Sequence, residues 1–257
     1  MTDTEPALIA VIRELEIPEL RRPWQLEGDW LICGDVHLPF TDWEWAARVS
    51  RIGRKMKRPR RLLIAGDLLD MTNFSVYQHI VEPPTWAQEK ASAKALLAEW
   101  LGVFQEIKIL SGNHERRLVR FTASAFDETD WLGLLTDNER VQSSARGWCT
   151  INTASGCWRV THPRNYSINQ LTVADQLALK HNCHVISAHE HHLSLGLDRY
   201  GTHVIVNLGC LVDPAKLAYV SMDDSKAAAM KRGFVTLVGG VVTLFGDWPI
   251  TDWGRYD

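Results

Sequence analysis

The sequence predicts an α/β fold in which two packed, mostly mixed β-sheets are flanked by helices. In the first half of the chain, apolar strands alternate with amphipathic helices, an order typical of parallel strands joined by right-handed crossovers. In the second half, short strands follow one another with few helices between them, which indicates further sheet. The 257 residues, 46% of them hydrophobic, contain no repeat or linker, so we expect a single domain spanning 1–257 with a sizeable core.

Five elements are predicted in the first half. Apolar runs predict strands at 30–37, 61–70 and 107–115, and helices are expected between them at 42–58 and 86–104. In the first helix, apolar residues recur at spacings of four, three and four: Trp45, Val49, Ile52 and Met56. The second strand, RLLIAGDLLD, is almost continuously apolar, as in a sheet covered on both faces.

The second half begins with a predicted hairpin at 148–162, whose turn is Ala-Ser-Gly. A helix is expected at about 169–181 and a strand at 184–189. Short strands follow at 193–199, 202–208, 216–222, 233–238 and 241–246, the last two joined by Gly239-Gly240. We also expect a peripheral N-terminal helix at about 5–20 and a small helical cap at about 118–147.

Composition excludes several classes of protein. A net charge of -3 and a pI near 6.4 give no whole-molecule field that would attract nucleic acid or an acidic membrane. The five cysteines are odd in number and form no C-x-x-C pair, which argues against a disulfide framework and against structural zinc. No secretory signal or membrane span is recognisable, so a cytoplasmic protein is expected, without a membrane partner. The oligomeric state stays open.

Polar side chains follow five of the predicted strands. They are Asp35 and His37, then Asp67 and Asp70, then Asn113, His114 and Glu115, then His162, and finally His189 and His191. Ligands of parallel α/β sheets bind beyond the carboxyl ends of the strands, where these residues lie. On extended backbone, the spacing of two between Asp35 and His37 directs both side chains the same way.

This mixture of carboxylate, imidazole and amide oxygen suits divalent ions such as Mn²⁺, Fe²⁺ and Zn²⁺. The set is too large for one tetrahedral zinc, but it suits two ions roughly 3.5–4 Å apart. Two dications so close repel each other, and an anionic ligand between them reduces that repulsion. Asp67 is the natural bridge.

The order D-x-H, G-D-x-x-D, G-N-H-E, H and H-x-H resembles the pattern of the calcineurin-like metallophosphoesterases over roughly residues 30–192. The resemblance implies a four-layer α-β-β-α sandwich and two divalent ions, with Mn²⁺ preferred over Fe, Zn, Ni or Mg. It implies that Asp35, His37, Asp67 and His191 hold one ion. It also implies that Asp67, Asn113, His162 and His189 hold the other.

The resemblance further implies how the site works. A hydroxide between the ions would attack phosphorus in line, and His114 would act as general acid or charge stabiliser. Asp70 resembles the carboxylate that orients this histidine. Gly112 would let the backbone approach the ions, and Glu115 is expected to anchor the loop rather than to ligate.

The sequence departs from the family pattern in ways that bear on the substrate. Ala188 replaces the usual glycine before the last histidine pair, and Pro163 follows His162. Asp70 is followed by Met71-Thr72 rather than the Arg-Gly of protein serine/threonine phosphatases. We therefore expect a phosphodiesterase, with a nucleotide or nucleic acid as an open choice of substrate. The alternatives are a phosphomonoesterase or protein phosphatase of the same family, and a non-catalytic metal-binding scaffold, although every ligand position is filled.

Four residues are candidates for contacting the substrate: Arg116, Arg117, Arg164 and Asn73. Asn73 lies with Phe74 and Tyr77 in a loop expected at the lip of the pocket. Residues 48–61 hold eight basic side chains, which would suit a nucleic-acid backbone, but a solvated basic helix is the favoured interpretation. The five histidines outside the site are expected to be structural or exposed: His79, His181, His184, His192 and His203.

Overall fold

The computed structural model describes residues 22–75, 82–123, 125–127, 129–217, 230–247 and 249–256. The predicted N-terminal helix at 5–20, Tyr77 and His79 lie outside the described residues. In the part that is described, no helix is both long and apolar enough to cross a membrane.

Twelve described strands form two six-stranded sheets. The first sheet has the order β12-β11-β2-β3-β4-β5, with bounds Trp30–Cys33 (β2), Arg61–Ile64 (β3), Glu106–Leu110 (β4), Val141–Ser144 (β5), Gly233–Val238 (β11) and Val241–Gly246 (β12). Strands β2 to β5 are parallel, and β11 and β12 are antiparallel additions. Both orientations in one sheet make it mixed, as predicted.

The second sheet has the order β1-β6-β7-β8-β10-β9, with bounds Gln25–Glu27 (β1), Trp148–Thr153 (β6), Gly156–Thr161 (β7), His184–Ser187 (β8), Leu193–Leu197 (β9) and Val204–Leu208 (β10). The predicted hairpin is its β6–β7 pair. Strand β8 runs parallel to β7 and β10. The carboxyl ends of β7 and β8 therefore lie at the same edge.

Five α-helices are described: Trp43–Lys55 (α1), Trp86–Leu101 (α2), Glu115–Phe121 (α3), Asp130–Gly133 (α4) and Thr172–His181 (α5). Helix α1 begins where the Asp42 carboxylate accepts a hydrogen bond from Glu44 N at 3.0 Å. Helix α2 begins with a capping box formed by Thr85 and Gln88.

The alternation of side chains along the strands builds the layers. On β3, Leu62 and Ile64 pack in the core shared with α1 and α2, whereas Leu63 packs in the core between the two sheets. Helix α5 covers the far face of the second sheet through Ala174 and Ala178. The α/β fold with two packed sheets and outer helices, a four-layer α-β-β-α sandwich, is confirmed.

The strands end earlier than predicted, and the polar residues lie in the loops beyond them. The backbone is left-handed, with φ between 50° and 78°, at five of these residues: Asp35, His37, Asp67, His189 and His191. The prediction that extended backbone directs Asp35 and His37 the same way is therefore wrong. The convergence of their side chains comes from the loop conformation instead.

Two segments have a secondary structure other than the one predicted. The sequence predicts helical structure up to residue 147, but residues 141–144 form β5, which pairs with β4. The first residue of the predicted strand at 216–222, Lys216, belongs instead to a 3-10 helix, Pro214–Lys216. Residues 218–222 lie outside the described part. Strand β1 is short, and no apolar run in the sequence signals it.

Candidate metal centre

The loops that follow β2, β3, β4, β7 and β8 meet at one edge of the two sheets. Backbone hydrogen bonds connect the loop after β2 to the loop after β3: Val36 N and His37 N both donate to Asp67 O, at 2.9 and 3.0 Å. The loop after β8 is tied to the loop after β2, since His189 N donates to Asp35 Oδ2 at 2.9 Å. The structure thus brings together all the predicted ligand positions.

A first cluster of donor atoms consists of Asp35, His37 and His191. His191 Nε2 lies 3.2 Å from both His37 Nε2 and Asp35 Oδ1. His37 Nδ1 lies 3.0 Å from Asp70 Oδ1, and because a carboxylate only accepts, Nδ1 carries the proton of that bond. Nε2 of His37 can then present a lone pair to a cation.

A second cluster contains Asp67, His162 and His189, whose donor atoms lie within 4.8 Å of one another. His162 Nδ1 donates to the Ala65 carbonyl oxygen at 2.9 Å, which leaves Nε2 to face the cluster. That nitrogen lies 2.9 Å from Asn113 Oδ1 and 3.3 Å from Asp67 Oδ2. The donor atoms of Asp67, His162 and His189 therefore lie together, with Asn113 Oδ1 next to that of His162.

Asp67 joins the two clusters through one oxygen. Its Oδ2 lies 3.8 Å from His37 Nε2 in the first cluster and 3.3 Å from His162 Nε2 in the second. Its Oδ1 accepts a hydrogen bond from His114 N at 3.0 Å, which fixes the carboxylate. The carboxylate therefore has the position expected of a bridging ligand.

The donor atoms fit divalent ions. Ligands about 2.1 Å from a metal and at right angles to each other are roughly 3 Å apart, close to the separations of 2.9 to 3.3 Å found for several donor pairs. Asp35 Oδ1 is buried and accepts no hydrogen bond from the described residues. Buried carboxylate oxygens ordinarily have a partner, and a cation would supply one.

The electrostatics of the pocket favour positive charge. Burial would raise the pKa of Asp35, but the neighbouring His191 and His37 imidazoles hold that pKa well below its usual range. Burial would lower the pKa of His37, but the nearby Asp35 carboxylate, the hydrogen bond to Asp70 and the Asp67 carboxylate raise it to about 10. The carboxylates thus stabilise a cation at this place.

Glu115 anchors the loops of the site, as expected from the sequence. Its buried carboxylate accepts hydrogen bonds from Asp67 N and Gly112 N with Oε2, at 3.1 and 2.8 Å, and from Leu69 N with Oε1, at 3.2 Å. One side chain therefore fixes the loop after β3 relative to the loop after β4.

Gly112 allows the close approach of these two loops. A Cβ atom at this position would lie 1.9 Å from Asp67 Oδ1 and 2.5 Å from Asp67 N. Gly66 lies on the other side of the same contact, with φ at 88°, and a Cβ there would lie 2.6 Å from His162 Nδ1. Neither glycine has room for a side chain.

His114 lies beside the first cluster, with its ring centroid 4.5 Å from that of His37. Arg117 Nη2 lies 2.9 Å from His114 Nε2, and because a guanidinium only donates, Nε2 accepts and the proton is on Nδ1. Nδ1 in turn lies 2.6 Å from the Asp70 carbonyl oxygen. Burial, the largest influence, lowers the pKa of His114.

Asp70 contacts His37 as well as His114, the histidine that it is expected to orient. Its carboxylate Oδ1 is nearer to His37 Nδ1, at 3.0 Å, than to His114 Nδ1, at 3.4 Å. Thr72 Oγ1 donates to its other oxygen. The backbone oxygen of Asp70 makes the closest contact with His114, so this residue supports both imidazoles.

The four candidate substrate contacts are placed differently. Arg117 is at the site, and its Nη1 also donates to Asp70 O at 2.8 Å. Arg164 is exposed on the loop after β7. Arg116 extends towards Gly147, since a Cβ there would lie 3.1 Å from Arg116 Nη2. Asn73 Nδ2 donates to Pro84 O at 2.5 Å and so closes its own loop.

Glu89, which is fully buried on α2, is a residue of the site that the sequence pattern does not identify. Its Oε1 accepts a hydrogen bond from Met71 N at 2.6 Å, next to Asp70, and burial raises the pKa of Glu89 to about 8. An acidic residue in the first turn of a helix is ordinary, so the pattern carries no signal for this role.

Much of the basic stretch at 48–61 is engaged within the protein. The Arg48 guanidinium lies over the rings of Trp45 and Trp253, at 4.5 and 4.6 Å. Lys55 Nζ donates to Tyr256 O at 2.7 Å, and Arg60 Nη2 donates to Arg54 O. These contacts favour a structural role for the stretch over a nucleic-acid patch.

A model of the calcineurin-like phosphoesterase family matches residues 30–207. Among solved structures, Vps29 from Chaetomium thermophilum is 14% identical, with a TM-score of 0.46 over 84% of this chain and 85% of that chain. A predicted phosphoesterase from Streptococcus pneumoniae TIGR4 is 12% identical, with a TM-score of 0.38 over 86% and 98%. A zinc complex of Vps29 from Entamoeba histolytica is 13% identical, with a TM-score of 0.38 over 84% and 97%.

These likenesses are too weak to transfer a function, and no curated protein matches the chain significantly. The family match, in contrast, spans more than two thirds of the chain and includes every loop of the centre described above. The chain therefore belongs to the calcineurin-like phosphoesterase family.

Proposed function

We propose that this protein is a phosphodiesterase that uses two divalent metal ions. The observation that supports it most is the position of Asp67 Oδ2, within 3.8 Å of His37 Nε2 in one cluster and 3.3 Å of His162 Nε2 in the other. A single carboxylate oxygen between two sets of donors can bind two metal ions at once. A site for one ion would not need this position.

Asp35, His37, His191 and Asp67 would hold one ion, and Asp67, Asn113, His162 and His189 would hold the other. The ions would supply Lewis acidity towards the phosphate oxygens and would lower the pKa of a water molecule used as nucleophile. Mn²⁺ suits this set of oxygen and imidazole donors, and Fe, Zn, Ni or Mg are the competing choices.

His114 and Arg117 are proposed to act on the leaving oxygen. Their contact at Nε2 places an imidazole and a guanidinium together at the rim of the first cluster. The Arg117 guanidinium, a donor held where negative charge develops, would stabilise the transition state more than the ground state. His114 Nε2, which accepts from Arg117 in this structure, would donate to the leaving oxygen in the protonated form of the imidazole. In this proposal Asp70 holds both partners, since its carbonyl oxygen contacts His114 Nδ1 and accepts from Arg117.

The preference for diesters rests on charge. A phosphate monoester carries up to two negative charges, whereas a diester carries one. The residues after Asp70 add no cation, because Met71 is buried and Thr72 donates to the Asp70 carboxylate. Arg117 supplies the nearby positive charge from the protein, and it suits a monoanion.

The assay compares bis-p-nitrophenyl phosphate with p-nitrophenyl phosphate, using protein loaded with Mn²⁺. We expect the diester to give the higher kcat/KM, and we expect His114→Ala to lower kcat by about 10²- to 10³-fold while two Mn²⁺ ions per chain remain bound. The control is His181→Ala, an exposed histidine at the end of α5, which should behave as wild type.

Each alternative has its own outcome. A higher kcat/KM for the monoester would identify a phosphomonoesterase. Stoichiometric metal without turnover of either ester would contradict the hydrolase and support a binding scaffold. Unchanged kcat in His114→Ala would remove this histidine from the reaction.

A further inference from the structure

The loop that follows His162 presents an aromatic ring beside the second cluster. Tyr166 is 51% exposed, and its ring centroid lies 6.4 Å from that of His189, one of the proposed ligands. The two rings are nearly perpendicular, at 86°. A large aromatic side chain so exposed has surface left for a ligand to cover.

Buried polar side chains hold the backbone of this loop in place. Glu190 lies between the two proposed ligands of the H-x-H motif and is itself buried, and its Oε1 accepts from Ser167 N at 3.0 Å. Its Oε2 accepts from Asn207 Nδ2 at 2.8 Å, and Asn207 Oδ1 accepts from Leu171 N at 2.5 Å. Tyr166 is therefore presented by an ordered loop tied to the ligand segment itself.

His192 supplies a second and independent observation. Its side chain is 1% exposed, and neither ring nitrogen has a hydrogen-bond partner among the described residues. Its ring centroid lies 6.4 Å from that of Tyr166. Buried imidazole nitrogens ordinarily have partners. Both nitrogens are covered in this structure, so a ligand beside Tyr166 would reach one of them only after a local shift that uncovers it.

We propose that Tyr166, with His192 behind it, forms a subsite for the nucleobase of a nucleoside phosphodiester whose phosphate lies at the metal centre. The proposal rests on the proposed function and narrows its substrate class. In a nucleotide the sugar separates the base from the phosphate. A base could therefore lie on the Tyr166 ring, 6.4 Å from that of His189, while the phosphate lies at the ions. Planarity of the base matches the Tyr166 face. The polar edge of a base would supply the partner that a His192 nitrogen lacks, once that nitrogen is uncovered.

The test measures the binding of two phosphate monoesters by calorimetry in the presence of Mn²⁺. Thymidine 5′-monophosphate carries a base and methyl phosphate does not. We expect wild type to bind the nucleotide about tenfold more tightly than methyl phosphate, and we expect this ratio to fall to near one in Tyr166→Ala. Tyr166→Phe should keep most of the ratio, because the face of the ring remains.

The matched control is Tyr200→Ala, which removes another exposed tyrosine, 75% exposed in the turn between β9 and β10. It should leave the ratio unchanged. A ratio near one in wild type, or an undiminished ratio in Tyr166→Ala, would overturn the subsite.

A parallel assay separates this inference from the proposed function. Thymidine 5′-p-nitrophenyl phosphate and methyl p-nitrophenyl phosphate share a leaving group and differ in the nucleoside. If neither is hydrolysed but the difference in binding persists, the proposed function fails and the subsite stands. If both are hydrolysed with equal KM, and Tyr166→Ala raises both KM values alike, the subsite fails and the proposed function stands.

Discussion

Replacing Asp67 by alanine is expected to remove the binding of both metal ions and to lower diester hydrolysis at least about a thousandfold. The physical reason is that Asp67 Oδ2 faces His37 and His162 at once, so its loss removes a ligand from both sites and the negative charge between two dications. Loss of a residue that touched one site alone would leave a mononuclear protein.

Elemental analysis after gel filtration, combined with the diester assay, measures this effect. Asp67→Asn separates charge from shape, because an amide can still accept from His114 N but lacks the anionic oxygen. It should bind metal more weakly than wild type and retain the fold. The control is Asp252→Ala, an exposed aspartate near the C-terminus, which should retain two ions and full activity. Two ions bound by Asp67→Ala at wild-type affinity would contradict the bridging assignment.

Replacing Gly112 by alanine is expected to have the next largest effect, although it adds one methyl group and removes no ligand. The new Cβ would lie 1.9 Å from Asp67 Oδ1 and 2.5 Å from Asp67 N. Rotation of the Asp67 side chain would relieve the first clash but not the second, which involves the backbone. The loops after β3 and β4 must separate, which moves Asn113 away from the second cluster. We expect weaker binding of Mn²⁺ and a loss of about 1–3 kcal/mol in the free energy of unfolding.

Chemical denaturation with and without Mn²⁺, together with a Mn²⁺ titration, measures both quantities. Gly133→Ala is the matched control, since a Cβ at that helical glycine would meet no atom within 4 Å. It should be neutral or slightly stabilising. Wild-type Mn²⁺ affinity in Gly112→Ala would show that the close approach of the loops is dispensable.

Three buried glutamates that are not proposed as ligands position the loops of the centre. Glu115 accepts from the backbone at Asp67, Leu69 and Gly112, while Glu89 accepts from Met71 and Glu190 from Ser167. Burial raises the pKa of Glu115 and Glu190 to about 7 and that of Glu89 to about 8. Each carboxyl satisfies backbone donors that would otherwise be buried without a partner.

The convergence of the site could be predicted because it follows from topology. Parallel strands bring their carboxyl ends to one edge, so residues after β2, β3 and β4 must be neighbours whatever the loops do in detail. The loop geometry could not be predicted, since left-handed φ at Asp35 and His37 accompanies tertiary hydrogen bonds from Asp35 N to Gly66 O and from His37 N to Asp67 O.

The remaining differences have similar causes. Strand β5 carries the polar sequence VQSS, and pairing with β4 rather than its own pattern makes it a strand. Phe74, whose place at the pocket lip stays a prediction, packs against Trp86 and Phe121, with ring centroids 5.7 and 5.3 Å away. Apolar burial decides the place of that ring, and a single sequence does not reveal its partners.

Anomalous scattering from crystals soaked in Mn²⁺ would show whether Asp67 joins two ions. We expect two manganese peaks roughly 3.5–4 Å apart, with Asp67 Oδ2 between them, Asp35 beside one peak and Asn113 beside the other. A single peak, no peak, or a pair of peaks that Asp67 does not join would contradict it.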